Sequence, residues 1–397
     1  LTGRQYAVSL PEGGVPVYSW CEDLDENAAA QVVNLTRLPF VHHHVAVMPD
    51  AHFGYGMPIG GVLPARGVVI PNAVGVDIGC GMRAWNTNLH VDEFRSHGEA
   101  IMALIKERIP VGFAHRKERV DATLIEAIEE QAYEAAGQPR ELPPIWDQER
   151  ERAHRQLGTL GGGNHFIEAQ VDEHDCLWFM IHSGSRNVGK QIADHYNKKA
   201  QGLNRRWFST VPRAQELAFL PLGEQLAFDY LDDMDYALAF ARGNRLYMEE
   251  VIREVLSMFA EDIGDEPWDI HHNYATIEHH YGQNVMLHRK GAVKAKGPGI
   301  IIPGSMGTKS YICEGLDSPC SFGSASHGAG RRMGRRAAAK DPEVRSTLEN
   351  MTTMLLSDSG SWDEAPGAYK DIDDVMAHQA DLVTITDTLT PLAVIKG

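Results

Sequence analysis

Five separated stretches of this chain carry histidine, cysteine or aspartate, four of them among glycines and serines. Asn164-His165 follows Gly161-Gly162-Gly163, and His182 opens His182-Ser183-Gly184-Ser185-Arg186. Upstream lies Gly75-Val76-Asp77-Ile78-Gly79-Cys80-Gly81; downstream lie His271-His272-Asn273 and Ser326-His327-Gly328-Ala329-Gly330. Asp, Cys and His are the ligand set of a divalent transition metal. Each candidate comes from its own loop, so any shared site must be assembled by the whole fold.

Taken singly, these residues leave alternatives open. Asp77 and Cys80 stand three apart on a glycine-flanked turn, where glycine permits unusual backbone angles and close approach. Both could reach one centre, or the thiolate could bridge two; an isolated DxxC also describes a buried structural cysteine. His165 and His182 could each be an ordinary core histidine, and only the joint set with Asp77 and Cys80 favours metal. Neighbours on a strand point to opposite faces, so only one of His271 and His272 can easily face the site. His42, His43, His44, His279 and His280 lack this packaging and read as surface or structural residues. The run Pro303-Gly304-Ser305-Met306-Gly307-Thr308-Lys309-Ser310 offers backbone N–H groups and hydroxyls to a phosphate, or is a plain strand-end turn. It is not a Walker A sequence. His327 has small neighbours and Arg331 nearby, which suits a nucleophile toward phosphorus, a general acid/base or a further ligand.

Composition narrows the class. The 397 residues are 43% hydrophobic and 23% charged, as in soluble globular proteins. No apolar run reaches the roughly 18 residues of a membrane span, and Leu1 to Leu10 lack the pattern of a signal peptide. Five scattered cysteines, none in CxxC spacing, point to a reducing, cytoplasmic setting. The net charge of −17 argues against a nucleic-acid binder. Its distribution argues otherwise: Arg289, Lys290, Lys294, Lys296, Lys309, Arg331, Arg332, Arg335, Arg336 and Lys340 share their stretch with only Glu314 and Asp317. That segment reads as a phosphate-binding surface on an acidic body, or as a solvated basic face.

Short apolar runs with Gly/Pro punctuation predict strands at Val45-Met48, Gly60-Leu63 and Val68-Ile70, and a buried strand Leu177-Ile181 ending at His182. Further strands are expected at Val285-His288 and Ile300-Ile302. Helical spacing covers 92–109, 121–136, 188–206 and most of 213–262. An exposed loop is expected over 139–147, with Pro139, Pro143 and Pro144, and helix after Arg331 with a loop around Gly360. The pattern is not a regular βαβ alternation. It predicts a mixed α+β fold with loops converging at strand ends, as one catalytic domain over 1–397 with a largely helical insertion at about 190–265.

Together the segments resemble the RtcB family of RNA-splicing ligases. The pieces are Met48-Pro49-Asp50-Ala51-His52, Val74 to Met82, Gly158 to Glu168, His182 to Arg186, His272-Asn273, Arg289 to Ala292, Pro303 to Gly307, Ser326 to Arg331, Tyr369 to Asp373 and Lys396-Gly397. They span nearly the whole chain in the family's order. The resemblance implies an RtcB-like fold with mixed β-sheets, surrounding helices and a central metal and nucleotide cleft. It implies a GTP-using, Mn(II)-dependent ligase of RNA repair and tRNA splicing. Such an enzyme joins RNA ending in 2′,3′-cyclic phosphate or 3′-phosphate to RNA beginning with 5′-OH, with archease as activating partner.

By the same resemblance Asp77 and Cys80 bind metal, with Cys80 shared by two Mn(II) ions. His165 joins one ion; His182 and His272 join the other. His327 is the catalytic residue that carries GMP. Guanine and ribose contacts fall on Asn164, Glu168, Pro303, Gly304, Ser305, Met306, Ser310, Gly328, Ala329, Gly330 and Lys396. Glu168 is chemically apt, since a carboxylate accepts from guanine N1–H and N2–H and repels a ring nitrogen of adenine. Arg186, Lys290 and Arg331 are the candidates for phosphate and RNA contacts. Two readings compete: a dinuclear phosphoesterase acting on RNA cyclic phosphate ends, and a GTP- or RNA-binding regulatory protein. A hydrolase has no use for His327 with a guanine-binding Glu168 and Lys396; the regulatory protein would keep metal for stability and show no covalent nucleotide chemistry.

Overall fold

The computed structural model describes residues 13–136, 142–260, 264, 266–357 and 361–397. The fold is mixed α/β, with several sheets and surrounding helices. A five-stranded sheet runs in the order Val17–Ser19, Val45–His52, Ile59–Ala65, Gln283–Lys290, Asn273–His280. An eight-stranded sheet runs Lys296–Ile302, Ser310–Leu316, Val383–Lys396, Phe166–Val171, Cys176–Ser183, Gly81–His90, Trp268–His271, with Met354–Ser357 paired alongside Val383–Lys396.

Register in the larger sheet does the positioning. Gly81 pairs with Ser183 on one side and His271 on the other, and Met82 pairs with His182. Cys80, His182 and His272 therefore arrive at one sheet end. Lys396 pairs with Phe166 and Val394 with Glu168, so Lys396 and Glu168 are diagonal neighbours on one face.

The helices Val91–Arg108 and Ala122–Ala136 form close to the expected bounds. The helices Arg186–Arg206 and Gln225–Leu256 lie in one buried cluster with Val69, Ile78, Ile125 and Trp146. Three expectations need correction. Pro143 and Pro144 do not lie in an exposed loop: Pro144 opens a helix to Gln156. Proline suits that first position, where its missing N–H has no intrahelical partner, and the Asp233 carboxylate accepts from the N–H groups of Ile145 and Trp146 at 3.3 and 2.8 Å. Pro139 lies outside the described residues. Second, the stretch expected to be mostly helical over 213–262 is α-helical from Gln225 to Leu256, while 213–224 holds the short 3-10 helix Arg213–Gln215 and the two-residue strand Leu220–Pro221, paired with Val68–Val69. Pro221 lacks an N–H and would clash with the preceding turn, so no helix runs on through it from Arg213. Third, the region after Arg331 is not purely helical. Beyond the helices Arg335–Ala338, Pro342–Glu349 and Ile372–His378 it forms the 14-residue strand Val383–Lys396, whose run of Val, Thr and Ile favours a pleated surface. Gly360 lies outside the described residues.

Candidate active site

The turn carrying Asp77 and Cys80 is held from both sides. Asn273 Nδ2 donates to the Asp77 carbonyl at 3.0 Å, and the His272 N–H to the Cys80 carbonyl at 2.9 Å. Gly184 lies so close to the Asp77 carboxylate that any side chain there would collide with it. Cys80 Sγ stands 3.5 Å from His165 Nε2 and 3.2 Å from His182 Nε2. Ligand atoms of Cys80, His165 and His182 all lie within 4.8 Å of one another, and all three residues are buried. Asp77 Oδ2 is 3.1 Å from His165 Nε2. The His272 ring sits 5.2 Å from that of His182, centroid to centroid, and its Nδ1 is buried without a partner.

A backbone carbonyl sets the His182 tautomer: its Nδ1–H donates to Asn164 O at 3.1 Å, which leaves its Nε2 lone pair facing inward, the arrangement that orients metal-bound histidines. His165 Nδ1 lies 3.0 Å from Leu160 O, and its Nε2 also faces inward, toward Asp77. Burial holds His182 and His272 well below the usual histidine range, so both are neutral. Burial, then the charge of Asp77, holds the Cys80 thiol well above its ordinary range. Burial would raise Asp77 too, but the His165 hydrogen bond and the charge of Arg186 outweigh it and keep the carboxyl low. Side-chain ligand atoms of Asp77, Cys80, His165 and His182 thus converge beside an unpaired His272 nitrogen. The donor set fits a divalent metal.

His327 lies on the other side of His272, ring centroids 4.8 Å apart. Its Nδ1–H donates to Asp50 Oδ2 at 2.6 Å, and its backbone N–H to the same oxygen at 3.2 Å. Asp50 is fully buried, and its second oxygen has no partner. This leaves His327 Nε2 unbonded, as a nucleophilic imidazole requires.

Two hollows meet at His327. The smaller, of about 210 Å³, is lined by Asn164, Glu168, Pro303, Gly304, Ser305, Met306, Gly328, Ala329, Gly330, Arg331 and Lys396. Glu168 accepts from Gln170 Nε2 at 2.7 Å through one oxygen and leaves the other buried and unpartnered. Burial pushes its carboxyl up to about 8, against the opposing pull of Lys396 and Gln170. Of the expected guanine contacts, Ser310 is not on this wall: its hydroxyl accepts from Gly304 N–H and Gln170 Nε2, both at 3.1 Å, and braces the loop from behind. The larger hollow, about 1080 Å³, opens past Asp77, Asn164, His272, Lys290, Arg331 and Arg335.

The three expected phosphate contacts differ in setting. Arg186 starts its helix in the left-handed region, φ 59°, and threads beside Gly161, where a side chain would block it. Its guanidinium lies 3.2 Å from His165 Nδ1. Lys290 Nζ donates to the carbonyls of Tyr55 and Asn72 at 2.6 and 3.0 Å, and burial lowers it to about 7. Arg331 is tied to Glu364 at 3.1 Å and to the Asp363 carbonyl at 2.7 Å. The basic segment does not form one surface. Arg289 is buried on Glu278 at 2.6 Å, and Lys296 pairs with Asp317 at 2.8 Å.

Two carboxylates of the site carried no expectation. Asp50 fixes His327, and Glu364 gathers Arg331, Arg335 and Lys396 (3.1, 3.4 and 3.5 Å) with the Tyr369 hydroxyl. A lone acid inside the apolar run Val45-Ala46-Val47-Met48-Pro49-Asp50 was the available signal for the first.

The family model described as tRNA-splicing ligase RtcB matches residues 31–397. The chain is 38% identical to the RNA-splicing ligase RtcB of Escherichia coli (strain K12), across 100% of this chain and 99% of that protein. It is 33% identical to the tRNA-splicing ligase RtcB of Methanococcus maripaludis, across 95% and 92%. It is 31% identical to that of Thermococcus kodakarensis, across 92% and 90%.

Proposed function

The chain belongs to the RtcB family, and on that premise we propose that it is a GTP-dependent RNA ligase. It joins an RNA 2′,3′-cyclic phosphate or 3′-phosphate end to a 5′-hydroxyl end. The observation that carries the reading is His327. Asp50 holds its Nδ1, its Nε2 is unbonded, and it stands where the Glu168 cavity meets the hollow that reaches Asp77, Cys80 and His272.

Asp77, Cys80, His165, His182 and His272 would hold the divalent ions, Mn(II) by family. Bound there, they would offset charge developing on phosphate oxygens. The protein's own groups supply the rest. Glu168 takes guanine N1–H and N2–H on its unpartnered oxygen, with Lys396 beside it. Pro303 to Met306 and Gly328 to Gly330 shape the wall around the base and ribose. His327 Nε2 attacks the α-phosphorus of GTP; a P–N bond forms, the bond to the β-phosphate oxygen breaks, and pyrophosphate leaves. The cationic ring that results is balanced by Asp50. Water opens a cyclic phosphate end by breaking its P–O2′ bond. The RNA 3′-phosphate oxygen then takes GMP from His327, and the 5′-hydroxyl oxygen attacks that 3′-phosphate and expels GMP. Arg186, Lys290 and Arg331 support the phosphates.

The test is incubation with α-labelled GTP and Mn(II), denaturing electrophoresis and intact mass, with and without an archease. An acid-labile GMP adduct absent from His327→Ala is the expected result. No adduct under either condition sinks the ligase chemistry and leaves metal-dependent phosphoesterase action on cyclic phosphate ends as the reading to pursue.

A further inference from the structure

The helix that starts at Arg186, beside the metal-ligand cluster, ends at Arg206, roughly 30 Å away at 1.5 Å per residue. At that far end a hollow of about 510 Å³ is lined by Lys198, Arg205, Phe208 and Arg213, with Glu216 as its one acidic wall residue. Phe208 is 92% exposed. Lys198, Arg205 and Arg213 are exposed and make no ion pair among the described residues. On a chain of net charge −17, unpaired cations gathered around an exposed ring are a local exception. Cations that follow phosphates, with rings that accept any base face, are how unpaired nucleic acid is held.

This hollow adjoins the larger one. The Glu216 carbonyl accepts from Asn72 Nδ2 at 2.8 Å, and Asn72 lines the groove that opens from His327. That groove carries two further exposed rings, Phe53 at 56% and Tyr55 at 69%. A path of aromatic rings and cations therefore runs from the reactive histidine to the end of the helix.

We propose that an unpaired RNA strand lies along this path, its bases on Phe53, Tyr55 and Phe208 and its phosphates at Lys198, Arg205 and Arg213. The inference rests on the ligase reading only for the identity of the reacting end. A duplex would not present free base faces to the rings, so the path selects single strands.

Anisotropy with the full chain and 3′-phosphate oligonucleotides of about 4 and about 16 nucleotides, near the ends of the usual range of single-strand site sizes, tests it. The double variant Arg205→Gln/Arg213→Gln is expected to weaken the longer strand about tenfold and to lower its log–log salt slope by about 1.4, at ~0.7 per phosphate contact. The short strand keeps its affinity, and an unchanged melting temperature confirms folding. Tyr55→Ser weakens both lengths. Unchanged affinity and slope for the longer strand overturn the path, as does competition by duplex RNA or an acidic polypeptide equal to that of single strands. Binding along the path by a wild-type protein that forms no GMP adduct refutes the ligase chemistry and leaves the path standing.

Discussion

Replacing Asp50 by asparagine isolates what a buried charge does for the nucleophile. Asp50 is fully enclosed; one oxygen takes both the Nδ1–H and the backbone N–H of His327, and the other touches no polar partner. The amide oxygen of asparagine can occupy the first position and keep both bonds. Its NH2 then falls where no acceptor waits, so the variant is also mildly destabilised. What disappears is the negative charge opposite an imidazole that becomes cationic as Nε2 bonds to phosphorus. A hydrogen bond to a charged group contributes about 1.5–3 kcal/mol, which slows guanylylation roughly 10- to 150-fold if lost mainly in the transition state. Asp50→Ala also frees the ring to rotate and costs more than Asp50→Asn. The assay is the single-turnover rate of labelled GMP transfer to the protein at saturating GTP. GTP affinity should barely move, because Asp50 is not on the Glu168 wall. An Asn variant within threefold of the wild-type rate, or one that loses affinity instead of rate, refutes the reasoning.

Other expectations follow from the same geometry. Glu168 has its carboxyl raised to about 8 when the cavity holds no nucleotide. The folded state therefore binds a proton that the unfolded chain has lost above its ordinary range near 4.5. Glu168's contribution to stability falls as pH rises between those values and levels above 8. Glu168→Gln should flatten that fall in nucleotide-free melting curves. Guanine binding needs the ionised form, so calorimetry at pH 7 in buffers of different ionisation enthalpy should detect proton release on GTP binding, and no release would remove Glu168 from the guanine site. Chelation should lower the melting temperature and added Mn(II) restore it, since a ligand that binds only the folded state stabilises it; a His182→Ala protein should lose the response. Phe240 is fully buried among the helices, and Phe240→Ala should cost about 3–5 kcal/mol in denaturant unfolding while leaving the metal ligands in place.

How much of this was legible in the sequence differs by element. Strands with short apolar runs and glycine borders, such as Val45–His52 and Cys176–Ser183, were readable because local pattern and burial agree. The Pro144 helix was missed because two prolines signal a break, yet one of them sits where helices begin. The strand Val383–Lys396 was hidden by its polar residues, exposed Thr384 and Thr386 and half-buried Asp387 and Thr388. The histidines near the cluster stood out through their glycine and serine settings, and the structure brings Cys80, His165 and His182 within ligand distance. Asp50 and Glu364 did not stand out, because an orienting carboxylate has no spacing signature; its role exists only once His327 or Lys396 is folded against it.

The strand Val383–Lys396 occupies an inner slot, between Ser310–Leu316 and Phe166–Val171. Its partners are made long before it during synthesis, so two strand edges stay open until it arrives. Pairing at such sequence separation is slow to nucleate, and open edges invite pairing with other chains. A chain cut before residue 383 should therefore fail by self-association rather than by simple loss of activity, and chaperone demand should fall once this strand closes the sheet.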